Sequence, residues 1–507
     1  MTFEPELDVG DIQGHSLRGF GTDALALVGL KIGEPSLARA WLSALSGRVD
    51  TLAAVHHYRL TRSFAPMRLP RTLLNIALSA HGLTQMAIDI STVEDGMFRQ
   101  PMGFNAGTLG DPTDSAQLPT DYVLGKTWED TPDILLIIGG DTAEAALKFA
   151  MSLRSAASMA GCSTMYEELG QNLPGEVEHF GFRDGISQVG VRGRLSSVAD
   201  DFLTLRRLAP TDPLAKVLAK PGQPLVWPGQ FVFGYPTHQP GSPLDPGPNS
   251  DGGAPWMKNG SYLVFRRLRQ DIPAFRQFLQ AQAGALSAQL HRPITAEEAG
   301  ALIVGRWPDG SPVSLAPFRP NASISDDEMM VNNFAYAQGT PAMTVSDSIG
   351  EERDLAAQQD DALGQRCPFF AHVRKVNPRD LATDQGIAGR TLTFQMLRRG
   401  IPYGQPFSGP DPDGEDRGLL FLAYQTSFKR QFNVLNSLWV NNPSAPEMSD
   451  EGHDILVSQN SGKDRFATLR DPTGTVMATI QAQERWVIPT GGGFFFTPSI
   501  SFLKSLS

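Results

Sequence analysis

Three short stretches hold residues whose types and spacing could do chemistry. In EHFGFRDGISQ (178–188), Gly181 and Gly185 bracket a single acid, Asp184, which follows Arg183. Glycine permits turns and a close approach of ligand to backbone, whereas an acid in such a turn is ordinarily an Asx turn. A lone G-x-x-D-G is therefore a weak signal. In CPFFAHVRKVNPRD (367–380), His372 follows an apolar run and precedes Arg374, Lys375 and Arg379. A lone histidine is ordinarily a core residue bonded to a carbonyl. No His or Cys stands at i+3 or i+4, so a zinc cage is poorly supported. One protein ligand suffices for haem iron, because the porphyrin supplies four nitrogens. The cations beside His372, Arg374 first, would then suit haem propionates through charge-assisted hydrogen bonds. In FQMLRRGIPYGQPF (394–407), Arg398 and Arg399 stand together on an apolar stretch. Either they are surface arginines pointing to opposite sides of a strand, or both find anions.

The elements that must position these residues alternate between strand and helix. Residues 24–45 and 134–155 each read as a strand followed by a helix. Glu34-Pro35-Ser36 starts the first helix and Asp141 or Thr142 caps the second. The pattern returns at 259–283, with Pro273 near a helix N-terminus, and at 416–442. Strand–helix units in both parts of the chain imply an α+β fold with helices on one sheet face. Residues 220–256 are dominated by proline and glycine and read as a long excursion or linker. RRLRQ (266–270) reads as a solvated helix start, and the tail GGGFFFTPSISFLKSLS as a final strand.

Bulk properties narrow the field. The 507 residues are 41% hydrophobic and 19% charged, an ordinary globular balance with room for a cofactor-enclosing core. A net charge of −11 argues against a general nucleic-acid binder. No window approaches the ~20 apolar residues of a membrane span, and the acidic start lacks a signal-peptide pattern. Two cysteines, Cys162 and Cys367, exclude a disulfide framework. The expectation is a cytoplasmic protein, with leaderless export as the alternative.

FGFRDGISQ, CPFFAHVRKVNPR and LRRGIPYG occur in that order, with DIQGHSLRGF (11–20) before them and RGLLFLAYQ (417–425) after. Together they make the chain resemble the dye-decolourising peroxidase family, in its long-chain subclass, from Asp11 to the tail. The resemblance implies an α+β fold of two ferredoxin-like halves, each an antiparallel β-sheet with peripheral helices, with haem in a cavity between the sheets. The halves would be 1–219 and 257–507, joined by the 220–256 excursion. It implies His372 as axial ligand of one haem b (iron protoporphyrin IX) per chain, held from behind by Asp454. Asp184 and Arg398 become the catalytic pair, with Arg399 as fallback, and Leu419 and Phe421 line the distal pocket. Hydrogen peroxide would be cleaved to a ferryl haem radical that oxidises dyes, phenols and other bulky aromatic donors. Dyes too large for the pocket would be oxidised at the surface, at Tyr403 between Pro402 and Gly404, with Trp439 and Trp256 behind it. The expected state is a monomer or homodimer without nucleic-acid or membrane partners. A haem-binding or haem iron-release protein would need His372 but neither Asp184 nor Arg398. A carboxylate hydrolase using Asp184 would have no Soret band.

Overall fold

The computed structural model describes residues 4–62, 70–347, 350–409, 411–447 and 451–507. Nine strands form its main sheet: β1 (Ala24–Ile32), β2 (Thr72–Ser79), β3 (Ile134–Gly140), β4 (Cys162–Gln171), β5 (Ser261–Gln270), β6 (Leu397–Arg398), β7 (Ile401–Tyr403), β8 (Gly418–Gln425) and β9 (Val487–Thr497). β6 and β7 are one interrupted strand, because Leu397 faces Tyr424 and Ile401 faces Leu420 in a single unbroken register.

The strand order repeats. The first four lie as β4-β1-β3-β2, and the later ones as β9-β5-β8-β6/β7. Each group is antiparallel, and in each the first and third strands of the chain lie centrally. Two seams join the groups edge to edge. Phe495 and Phe496 of β9 pair with Ser79 and Leu78 of β2, and Tyr403 of β7 pairs with Gly170 of β4. With β5 also paired to β8, the ring closes into a barrel and no main strand is left with a free edge.

Strand alternation sorts the side chains. Leu25, Leu27, Leu135, Ile137, Leu263, Phe265, Leu420, Leu422 and Phe495 point inward and form one cluster drawn from both groups. Helices α1 (Pro35–Leu45) and α2 (Ala143–Met159) lie on the outer face of the first group. They bury Ala38, Leu42, Ala146 and Leu153 in one cluster with Ala26, Val28, Ile134, Leu136 and Ile138 of the sheet. Thr142, not Asp141, caps α2 by accepting the Ala145 N–H.

In the second group, α3 (Ile272–Leu290) follows β5. Asp271 accepts the Ala274 N–H at its N-terminus, and Pro273 sits in its first turn. α4 (Ala296–Val304) packs on α3. π-helical turns at Phe428–Phe432 and Val434–Val440 follow β8. Two expectations change here. RRLRQ is not a solvated helix start: it ends β5, and Arg266 and Arg267 are both buried, because β5 is a central strand with neighbours on both sides. The 220–256 stretch is not structureless. It holds a short strand at Gln223–Val226, and it buries Trp227, Phe231, Val232 and Phe233, the last three in the two main cores. Proline and glycine shape its turns while the aromatics anchor it. Among the described residues, no helix is long and apolar enough to cross a membrane.

Candidate active site

A cavity of about 310 Å³ lies against the outer face of β5, β8 and β9. Arg266, Leu268 and Gln270 come from β5, Leu419 and Phe421 from β8, and Pro489 from β9. Leu419 and Phe421 are two apart, so alternation brings both to this face, opposite Leu268 and Arg266. The segment 178–187, from the first part of the chain, forms the facing wall.

Asp184 sits in that segment. Gly181 and Gly185 both have positive φ, +94° and +78°, which only glycine adopts at little cost. Asp184 Oδ1 accepts the Gly185 N–H at 2.6 Å, and Oδ2 is left for a ligand. The side chain lines the cavity and also a smaller pocket of about 200 Å³ walled by Glu176, Arg183, Lys220, Asp326 and Glu328. Glu178 fastens the segment from within. Its carboxylate accepts the N–H groups of Phe180 (2.9 Å) and Phe182 (3.0 Å), and Gln270 Nε2 donates to it at 2.5 Å. Burial pushes the Glu178 carboxyl up to about 7, against the pull of those hydrogen bonds.

The arginine pair divides by alternation. Leu397 points into the barrel and Arg398 out into the cavity, where Nη2 donates to Ser187 O at 3.1 Å. Arg399 points the other way. It donates to the carbonyls of His15 (3.3 Å) and Leu17 (2.8 Å). Across the cavity, His372 opens the short helix His372–Lys375. Its Nδ1 lies 2.7 Å from Asp454 Oδ2, so Nε2 is the nitrogen left for a ligand. Asp454 is fully buried, and its Oδ1 accepts the N–H groups of Leu456 and Val457, which locks its orientation.

A family model described as Dyp-type peroxidase, C-terminal, matches residues 248–451. "Dye-decolorizing peroxidase msp1" of Mycetinis scorodonius is 30% identical, over 99% of this chain and 88% of its own. The chain belongs to the dye-decolourising peroxidase family. An ancestral D-type dye-decolourising peroxidase of known structure is 28% identical, with a TM-score of 0.77 over 98% of this chain and 99% of its own. A dye-decolourising peroxidase solved in complex with 2,6-dimethoxyphenol is 26% identical, with a TM-score of 0.72 over 98% of this chain and 99% of its own.

The chain is thus a peroxidase of a haem family, and its cavity can be tested for that group. The walls are largely apolar, with Phe180, Phe182, Val304, Val373 and Val457 among them. One wall carries a histidine with a free nitrogen. Another carries Arg306 and Arg379, whose Nη2 atoms both donate to Asn332 Oδ1, at 3.1 and 2.6 Å. Neither is ion-paired with a carboxylate among the described residues, and burial lowers both, Arg306 to about 9. Arg306, buried and already donating to Gly310 O, Val331 O and Ser187 Oγ, and Arg379, half-buried, leave positive charge on this wall with no carboxylate to match it, which suits the two carboxylates of a porphyrin, so the charge of the cavity fits haem.

Two expectations fail. Arg374 does not reach the cavity. It is fully buried behind His372, paired with Glu447 (2.8 Å) and donating to the carbonyls of Asp361 and Cys367, so its charge is already matched by a carboxylate. Tyr403 is not at the surface. It is 1% exposed, because it follows Ile401 on the inward face of β7. Its hydroxyl donates to Asp416 (3.1 Å), and Arg267 lies over its ring at 4.2 Å. Trp439 is buried too, and Trp256 partly so. Sequence reasoning passed over Arg306, Glu178 and Arg266 as cavity residues and ranked Arg379 behind Arg374. Glu178 opens the quoted EHFGFRDG stretch, but no spacing rule sets these arginines apart from ordinary ones.

Proposed function

We propose that one haem b per chain binds in this cavity with His372 as its ligand, and that Asp184 and Arg398 act on hydrogen peroxide there. The observation that carries the reading is convergence. Asp184, His372 and Arg398 line one cavity, with Asp454 behind the histidine, although the chain scatters them from position 184 to position 454. Haem, when bound, supplies the iron that takes peroxide and the oxidising equivalents that aromatic donors then reduce. His372 offers Nε2, and its bond to Asp454 fixes the ring and raises its basicity. The Asp184 carboxylate accepts a proton from one peroxide oxygen and returns it to the other, which is general acid–base work. The Arg398 guanidinium offsets the negative charge on the departing oxygen. Asp184 also lines the smaller outer pocket, which supports proton exchange between cavity and solvent. Arg306 and Arg379 replace Arg374 as partners of the propionates. Phenols and dyes are the electron donors, supported by the relative solved with 2,6-dimethoxyphenol. We also take the halves to divide at 219 and 256, with the repeated strand order as support.

The test is the absorption spectrum of purified, haem-loaded protein before and after one equivalent of peroxide. A Soret band that peroxide shifts and a phenol restores is expected. In His372→Ala most haem should be lost, and full occupancy with an unchanged spectrum would remove His372 from its role.

A further inference from the structure

Lys375 ends the short helix that His372 opens, and it is fully buried without lining the cavity. A lysine is rarely buried so completely, because its charge must find partners. Its ammonium donates to Gly452 O at 2.7 Å and to Ala445 O. Both carbonyls belong to the chain that leads into Asp454, and Gly452 stands two positions before it. Lys375 therefore ties the helix of the histidine to the segment of the carboxylate bonded to that histidine. The charges of Glu451, Asp454, Glu447 and Asp384 support the ammonium against the burial that lowers its pKa. Glu447 is already ion-paired with Arg374, and Asp384 accepts the Trp439 indole N–H. Asp454 is the one of the four that touches His372.

We propose that Lys375 is a positioning residue for the haem ligand, whose charge, held against the segment of Asp454, lowers the proton affinity of that carboxylate and keeps the shared proton on His372 Nδ1. This rests on the reading of His372 as the ligand. Lys375 sets how strongly the histidine donates to iron without touching iron, substrate or the ring itself.

The place of that proton decides what the other ring nitrogen is. With the proton on Nδ1 the ring is a neutral imidazole. The closer the proton moves to Asp454, the more the ring resembles an imidazolate, a stronger donor that favours ferric iron and lowers the reduction potential. A cation near a carboxylate favours its charged form and so opposes that movement. Asp454 is fully buried, so charges near it are weakly screened. The buried Arg465 also acts on it, while donating to the carbonyls of Ile455 and Ser458. Lys375 differs from Arg465 in sharing a helix with His372. Its two roles predict opposite signs. Losing the charge sends the proton towards Asp454 and lowers the potential. Losing only the clamp on Ala445 and Gly452 loosens Asp454, weakens its bond to Nδ1 and raises the potential.

The experiment measures the ferric/ferrous midpoint potential of the haem-loaded enzyme by spectroelectrochemistry. Lys375→Met is compared with the parent, and the same pair is compared again in an Asp454→Asn background. Lys375→Met should lower the potential and raise the frequency of the ferrous iron–histidine stretch in resonance Raman spectra. Both changes should largely vanish in the Asp454→Asn background, where the side chain at 454 no longer competes for the proton. A potential that rises or stays in Lys375→Met leaves Lys375 a structural clamp and overturns the inference. A fall of equal size in the Asp454→Asn background also overturns it, because the charge then acts on the iron directly. If Lys375→Met does not fold or hold haem, proton NMR of the cyanide complex of the unaltered enzyme replaces it. An exchangeable, hyperfine-shifted His372 Nδ1 proton supports the inference, and its absence overturns it. A parent without a Soret band, or a His372→Ala variant with an unchanged spectrum, overturns the ligand reading and this inference together.

Discussion

A histidine can serve a metal only if its ring is held, and Asp454 holds His372 through Nδ1 while two backbone N–H groups hold Asp454. Asp184 is the opposite case, a carboxylate at the cavity wall on a glycine-hinged turn, with one oxygen bonded only to its own turn. Replacing it with Asn keeps the shape and the bond to Gly185 N–H but removes the proton acceptor. Asp184→Asn should retain its haem spectrum while the reaction with peroxide, followed by stopped-flow absorbance, slows by roughly 10²–10⁴-fold. An unchanged rate would exclude Asp184 as the proton carrier. The adjacent arginines should separate cleanly. Arg398→Leu should slow the same reaction at near-normal stability, since its guanidinium gives up a single bond, to Ser187 O. Arg399→Leu strands the Leu17 carbonyl, while His15 O keeps the Gly19 N–H, so it should lose about 1–3 kcal/mol in urea unfolding with the peroxide reaction largely kept. The reverse pattern would exchange their roles.

At the scale of an element, the 178–187 segment depends on Glu178. Its folded-state carboxyl titrates at about 7, above the 4.5 of an unfolded glutamate, because burial disfavours the charge. A group raised in this way adds stability that is complete below the unfolded value and lost as pH rises through the folded one. As pH falls from 7 to 4.5 the enzyme should therefore gain stability from this residue, on the order of 3 kcal/mol. Glu178→Gln, which cannot titrate, should flatten that part of the profile when urea unfolding is compared at several pH values. A variant as pH-dependent as the parent would show that other groups set the slope. The strand holding Arg398 and Tyr403 shows the same dependence on local order. One alternation sends Arg398 to the cavity, and Arg399 and Tyr403 to the interior.

The whole molecule is built around one closed ring of strands whose interior cluster is drawn from both groups. Its narrowest seam is the pairing of Tyr403 with Gly170. A Cβ at Gly170 would lie 2.3 Å from Ile401 Cγ2 and 3.0 Å from Pro402 O, so glycine is needed there for close approach. Gly170→Val should force β4 away from β7 and cost about 1–3 kcal/mol, read as a lower unfolding midpoint. Because β7 leads back to Arg398, haem retention should fall with it. Undiminished stability would mean that the barrel does not depend on this seam.

Local pattern was enough to read the strand–helix units, the N-terminal proline of α3, and the order of the motifs around Asp184, His372 and Arg398. Each depends on residues near one another in the chain, where period and turn chemistry act. Burial at Tyr403 was not legible that way, because Pro402 and Gly404 look alike whether a turn meets solvent or a second sheet. Arg374 lies in the short helix His372–Lys375 and Arg379 shortly after it, with the same charge. Which one faces the cavity depends on Glu447 and Asn332, which reach them from distant segments. RRLRQ misled for the same reason. A run of arginines is costly to bury unless partners are waiting, and those partners, Asp111, Glu168 and Asp416, arrive only when the barrel closes.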